Sequence, residues 1–376
     1  MEILIGADIV PINSNIQLFE EGNIKELFSD SLIEKLEKAD IRIFNLETPL
    51  TDEVSPIKKC GPNLVASTKS INGIKKLNPS FLTLANNHIL DHGKQGLKST
   101  MEVLKRNNIL FSGASMNLIE AQKTFILEKK GIKVGIYCCT EHEFSIAKRD
   151  EYGANPYDPL ESFDAVYNLK KKCDYLIVLY HGGKEYYRYP TPELQKVFRK
   201  FAEKGANLVI AQHTHCIGCF EEYNDALLLY GQGNFHFTKY HNEFWDSSIL
   251  VSVNIEKNLE PKIDYIPLKV DNNCVILAEE SSSCKIMNEF FERSEQIKSD
   301  NFVLEQFDKY TELQGTNYAK VIRGETGIIR RLQLKLNKKS FDYHYKNKRI
   351  YALLNYIECE THREIVINEL KRLLKK

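Results

Sequence analysis

The sequence predicts an α/β fold with a largely buried sheet and a helical C-terminal extension. Three observations lead there. Short, almost wholly apolar segments alternate with amphipathic ones as far as about residue 215. Polar, ligand-type residues follow the ends of those apolar segments, where sites gather in open α/β sheets. Beyond Pro267 there is no proline, and the chain becomes rich in Lys, Glu and Asn.

Segments 3–5, 41–46, 81–85, 132–138, 175–180 and 208–211 read as buried strands. The clearest helix spans 192–204. Thr191 suits its N-cap and Pro192 its first position. Leu194, Val197, Phe198, Phe201 and Ala202 form one core-facing stripe, and Gly205 stops the helix. A second helix follows Gly93, with Leu97, Met101 and Leu104 on one face. Residues 226–267 are strand-rich and suggest hairpins that finish a second sheet or an edge. Ser281, Ser282 and Ser283 make a polar break. The expected domains are therefore 1–279 and a helical region 280–376. In the latter, Thr361 and Glu364 resemble a capping box, followed by an apolar stripe of Ile365, Val366, Leu370, Leu373 and Leu374.

Composition narrows the function classes. Of 376 residues, 43% are apolar and 27% charged, which excludes intrinsic disorder. Lys+Arg and Asp+Glu both number 51, so charge gives no case for a nucleic-acid binder. No segment reaches the ~20 apolar residues of a membrane span. Met1 runs into an apolar segment with Glu2 in place of a basic region, which reads as no signal peptide. Nine scattered cysteines read as reduced thiols and a cytoplasmic home. There is no P-loop and no serine nucleophile elbow.

Five clusters carry chemistry, each after an expected strand. Asp8 can offer a carboxylate to a metal, or simply end a loop. Asn45 and Glu47, two apart, share a strand face and suit a divalent ion; a turn set by Pro49 is the alternative. Asn87 offers an amide oxygen. His88 and Asp91, three apart, pair if a helical turn begins there, and the carboxylate then fixes the imidazole tautomer. His181 precedes two glycines that let a ligand approach closely. His213 and His215 project to one side of an extended segment. Asp8, Glu47, Asn87, His181, His213 and His215 mix carboxylate, amide and imidazole, which suits Mn, Fe or Zn. Six ligands exceed one tetrahedral ion and suggest two ions sharing a carboxylate. Cys216 and Cys219 with the His pair give a competing structural-zinc reading.

The order of Asp8, Asn45-Leu46-Glu47, Asn86-Asn87-His88 with Asp91 and Gly93, His181 with Gly183, Glu185 and Tyr186, His213 with His215, and Gly233-Asn234-Phe235 resembles the CapA family. These are bacterial capsule-synthesis proteins associated with poly-γ-glutamate and other surface polymers, and they resemble the calcineurin-like metallophosphoesterases. The resemblance covers about residues 1–270. It implies a four-layer αββα sandwich with a two-metal site. It also implies that Asn87 binds metal while His88, paired with Asp91, assists the leaving group. Two departures stand out. Val10 occupies the place of the usual histidine in Asp-x-His, and Asn45-Leu46-Glu47 replaces the usual Gly-Asp motif. The expected function is a metal-dependent phosphoesterase acting on a phosphorylated small-molecule or polymer precursor. Water activated by the ions attacks phosphorus, and Asn45, Glu185, Tyr186 and Arg188 contact substrate. The alternative is a metal-binding accessory module of a polymer-synthesis complex, docked through its C-terminal helices.

Overall fold

Runs of Ile, Val, Leu and Phe pair edge to edge into two large sheets, whose alternating side chains build three apolar layers. The computed structural model describes residues 1–238, 240, 242–257, 259–299, 301–322 and 347–374. In chain order the strands are β1 (Glu2–Ile9), β2 (Ile41–Leu46), β3 (Phe81–Thr83), β4 (Phe111–Ser112), β5 (Ala114–Ser115), β6 (Phe125–Lys129), β7 (Ile132–Thr140) and β8 (Gly153–Ala154). Then come β9 (Tyr175–His181), β10 (Leu208–Gln212), β11 (Phe220–Tyr223), β12 (Ala226–Leu229), β13 (Asn234–His236), β14 (Ser247–Asn254), β15 (Lys262–Asp271) and β16 (Cys274–Leu277). The first sheet runs β16-β15-β14-β1-β2-β3-β4, with β13 also beside β1. The second runs β11-β12-β10-β9-β7-β6, and β5 pairs with β8 alone.

The layering follows from strand periodicity. On β1 and β2, Ile3, Ile5, Ile41 and Ile43 face Ile136, Ile177, Leu208 and Ile210 of the second sheet. Leu4 and Phe44 point the other way, onto Leu32 and Leu36 of the helix Asp30–Lys38 and Leu97 and Leu104 of the helix Gly93–Arg106. On the far side, Leu176, Val178 and Val209 pack on Val166 of the helix Ser162–Lys170 and on Phe198 and Phe201 of the helix Pro192–Glu203. Helix, sheet, sheet and helix make the four-layer αββα sandwich. The helix Pro192–Glu203 begins as its sequence dictates, with the Leu194 N–H donating to Thr191 Oγ1 at 3.1 Å.

β1, β2, β3 and β4 run parallel, as do β7, β9, β10 and β12. Their C-terminal ends carry the polar clusters. The β1–β2 register shifts between Ile5 and Asp8. Gly6 sits in that irregularity, where an added Cβ would lie 2.5 Å from the Phe44 ring. The bulge therefore depends on glycine, and it sets the direction of Asp8.

One expectation needs correction. Thr361 lies inside the helix Glu360–Leu373, whose N-cap is Cys359, so the expected capping box does not form there. The strand-rich segment splits its work: β14 to β16 finish the first sheet, while β11 and β12 edge the second. The compact unit also runs past the serine break, from Met1 to Phe307. The reason is burial. The helix Glu280–Gln296 drives Phe290 fully into the layer between the sheets, and Ile297 and Val303 join the outer layer. The second unit is Asp308–Lys376, with the helices Asn347–Glu358 and Glu360–Leu373. The apolar stripe expected there, Ile365 to Leu374, is exposed. The expected helicity of residues 323–346, 375 and 376 lies outside the described residues. Among the described residues no helix is long and apolar enough to cross a membrane.

Truncating Phe290, which is fully buried, should cost about 3–5 kcal/mol in Phe290→Ala. The urea midpoint reads this directly. A loss under about 1 kcal/mol would mean that this helix is not part of the core.

Candidate metal centre

Two carboxylates anchor the site. Asp8 ends β1, Glu47 follows β2, and both are fully buried. Asn45, beside them on β2, donates its amide to Asp8 Oδ1 at 2.7 Å and lies 3.2 Å from His181 Nδ1. Its oxygen accepts from Asn86 Nδ2 at 3.0 Å. Asn45 is wholly buried with both polar atoms committed, so it orients Asp8 rather than contacting substrate as expected.

The second sheet supplies the imidazoles. His181 ends β9; its Nε2 lies 3.1 Å from Asn87 Oδ1 and 3.4 Å from Glu47 Oε1. Asn87 is oriented from behind, because its Nδ2 donates to Glu143 Oε2 at 2.6 Å. His213 and His215 follow β10 with φ of 97° and 53°, backbone regions that cost energy for residues other than glycine. His215 Nδ1 lies 2.8 Å from Asn234 Oδ1 and 4.0 Å from Asp8 Oδ2, and Trp245 stacks on its ring at 4.8 Å between centroids.

The donors form three overlapping groups: Glu47, His181 and His213; Asp8, Glu47 and His215; and Glu185, His213 and His215. Within each group the ligand atoms lie within 4.8 Å of one another. Asp8 Oδ2, both Glu47 oxygens and His213 Nδ1 are buried without a hydrogen-bond partner. Such atoms are costly to bury unless an ion satisfies them. Glu47, His213 and His215 each belong to two of the groups. The residues present therefore fit a divalent metal centre. Among the described residues no such group includes Cys216 or Cys219, whose buried thiols are pushed up in pKa, against the structural-zinc reading.

The electrostatics of the pair are uneven. Burial, and then the neighbouring Glu47 charge, push the Asp8 carboxyl up to about 6. Burial also opposes ionisation of Glu47, but His181 and the further imidazoles outweigh it and hold its carboxyl well below the usual range. For His181 burial is likewise outweighed, by Glu47 and Asp8, and the ring is shifted up. His213 is driven well down, by burial first and then by His181 and His215.

His88 and Asp91 sit at the rim. His88 Nδ1 lies 2.5 Å from Asp91 Oδ2, which also accepts from the Leu64 N–H at 2.6 Å. Lys59 pairs with Asp91 Oδ1, and its side chain is only 2% exposed. Glu185 Oε1 is 3.8 Å from His213 Nε2. Tyr186 is partly exposed, with its ring beside His215, Phe244 and Trp245. Arg188 departs from expectation: its fork donates to the Ile217 and Glu243 carbonyls and stacks on Phe244, so it braces the loop after His215 instead of awaiting phosphate.

Sequence reasoning missed Lys59, Glu141, Glu143 and Trp245. Glu143 orients Asn87, and Glu141 accepts from the Gly183 N–H at 3.1 Å behind His181. Both follow β7, a strand end no different in principle from the five that were read. Lys59 and Trp245 sit in irregular segments with no periodic signal.

Residues 3–239 match the family model of the bacterial capsule synthesis protein PGA_cap. The chain belongs to this family. It is 28% identical over 231 residues to the PGA biosynthesis protein CapA of Bacillus subtilis (strain 168), covering 60% of each chain. It is 26% identical over 244 residues to the capsule biosynthesis protein CapA of Bacillus anthracis, covering 62% of this chain and 59% of that one. The match thus spans about three fifths of the length of these capsule-synthesis relatives. Among solved structures, a novel phosphatase of Mycoplasma pneumoniae aligns with a TM-score of 0.45 at 14% identity, over 72% of this chain and 94% of that one. A 5'-nucleotidase precursor of Thermus thermophilus aligns with a TM-score of 0.44 at 13% identity, over 78% of this chain and 58% of that one. Neither likeness bears on activity.

The Asp8 carboxyl holds its proton to about pH 6 in the fold, against an ordinary value of 3.8. In chelator-treated protein its contribution to stability is therefore full below about pH 4 and is lost as pH rises through about 6. Asp8→Asn should make chelator-treated protein about 1–3 kcal/mol more stable than the parent at pH 8, and near-equal at pH 4. Urea unfolding at the two pH values checks this. Equal stability at pH 8 would mean that Asp8 ionises without cost.

Proposed function

We propose that this capsule-synthesis family member is a metal-dependent phosphoesterase acting on a phosphorylated small-molecule or polymer precursor in bacterial surface-polymer synthesis. The observation that carries the reading is the convergence of unpartnered, buried donors on Asp8, Glu47 and His213 beside a hydrogen-bonded His–Asp pair. Asp8, Glu47, Asn87, His181, His213 and His215 would hold two divalent ions, and their mixture of oxygen and nitrogen donors suits Mn, Fe or Zn. Bound there, the ions supply an activated water and neutralise charge on the phosphoryl oxygens.

The chain's own residues do the remainder. Asp91 fixes His88 with a proton on Nδ1, which leaves Nε2 to pass a proton to the leaving oxygen. Lys59 balances the Asp91 charge from its other oxygen, in a place closed to water. Asn45 and Glu143 hold Asp8 and Asn87 in their working orientations. Tyr186 and Glu185 line the open side. The nine free cysteines support a reducing, cytoplasmic setting. The exposed apolar residues of the C-terminal unit support docking to a polymer-synthesis protein.

One observation favours a second reading, a metal-binding accessory module without turnover. Val10, two residues from Asp8, is buried and aliphatic and offers no donor, which leaves the Asp8 group with three.

Protein purified without chelators should carry close to two Mn, Fe or Zn per chain by mass spectrometry, and should hydrolyse a member of a phosphomonoester and phosphodiester panel. His88→Ala should lower kcat roughly 10²- to 10⁴-fold with metal content unchanged. His213→Ala should lose metal as well. Bound metal with no turnover on the panel would decide for the accessory module, and no metal would sink both readings.

A further inference from the structure

We infer that Glu185 is itself a metal ligand, closing the exposed side of the site beside His213 and His215. The inference rests on the binuclear reading above.

Donor counts differ between the two groups that share Glu47. One has four donors: Glu47, His181, His213 and the Asn87 oxygen, 3.1 Å from His181 Nε2. The other has three: Asp8, Glu47 and His215. Nothing further on β1 supplies a fourth. Val10 has an apolar side chain, and its N–H donates to the His236 carbonyl at 2.8 Å. Asn45, the nearest amide, has its oxygen occupied by Asn86.

Glu185 is the one carboxylate grouped with both His213 and His215. The backbone puts it there. The Tyr186 N–H donates to the carbonyl of Thr214, the residue between the two histidines, at 2.9 Å. Tyr186 takes a φ of +60°, a strained conformation for an aromatic residue, to make that contact. One turn earlier the Gly182 N–H donates to the Gln212 carbonyl at 2.8 Å. The loop that carries Glu185 is thus stapled at both ends to the loop that carries the imidazoles.

The spacing also suits an ion better than a direct bond. Glu185 Oε1 lies 3.8 Å from His213 Nε2. That is too long for a hydrogen bond. Two donors each about 2.1 Å from a shared ion stand about 3–4 Å apart. Among the described residues the ion pair Glu185 makes is with His213, and its side chain is 38% exposed, so its carboxylate is not locked by packing. The carboxylate adds where it is grouped, beside His213 and His215.

The test uses the full chain, stripped with chelator and titrated with Co²⁺, read by metal stoichiometry and by the visible absorption of the bound ion. The parent should bind two ions. Glu185→Ala should bind one as before and the second roughly 10-fold or more weakly, with altered visible bands. Glu185→Asp, which keeps a shorter carboxylate, should fall between. His181→Ala serves as the comparison, since it removes a donor from the other group. If Glu185→Ala matches the parent in stoichiometry and spectrum while His181→Ala loses an ion, the pair of ions stands and the role of Glu185 is overturned. If the parent binds no Co²⁺, the binuclear reading and this inference fall together.

Discussion

Two carboxylates buried side by side constrain the rest of this molecule. Asp8 and Glu47 come from adjacent parallel strands, and neither reaches water. Leaving two such charges unsatisfied is expensive. The fold answers with imidazoles from the opposite sheet, a donated amide from Asn45 and room for cations. Everything nearby serves that arrangement: the bulge at Gly6, the strained backbone at His213 and His215, and the meeting of two sets of parallel strand ends. Unequal protonation of Asp8 and Glu47 is the same problem seen from the proton's side.

Around this centre lies a layer of residues that hold the donors in place. Asn86 holds Asn45, and Asn45 holds Asp8. Glu143 turns the Asn87 amide so that its oxygen faces His181. Asn234 and Trp245 fix the ring of His215. Each contact removes a rotamer or a tautomer that would spoil coordination, which is how outer residues govern a metal site without binding the metal. Arg293 extends this support outward. Its guanidinium bonds the carbonyls of Gly218 and Ile217, so the helix Glu280–Gln296 braces the loop that begins at His215.

Membership of the capsule-synthesis family names no site, so the kind of chemistry is left to the polar strand ends themselves. A hydrogen-bonded His–Asp pair lies at the rim of the donor cluster. Val10, two residues after Asp8, is buried and aliphatic and adds no side-chain donor to the cluster.

The sequence by itself determined the layers and the candidate donors. Apolar strand runs must be covered on both faces, and polar residues at their ends cannot join the core, so Asp8, Glu47, Asn87, His181, His213 and His215 were legible by type and place. The helix at Thr191 and Pro192 was legible because its cap is local. Other placements depend on partners far along the chain. Asn45 became an orienting group because Asn86 and Asp8 claim both ends of its amide. Arg188 became a brace because the Ile217 and Glu243 carbonyls lie under it. The helix after the serine break joined the sandwich because Phe290 finds the gap between the sheets. Lys59 reached Asp91 across an irregular excursion that no periodicity describes. Local chemistry fixes which residues can act, but only the packing of distant segments decides which of their atoms remain free to do so.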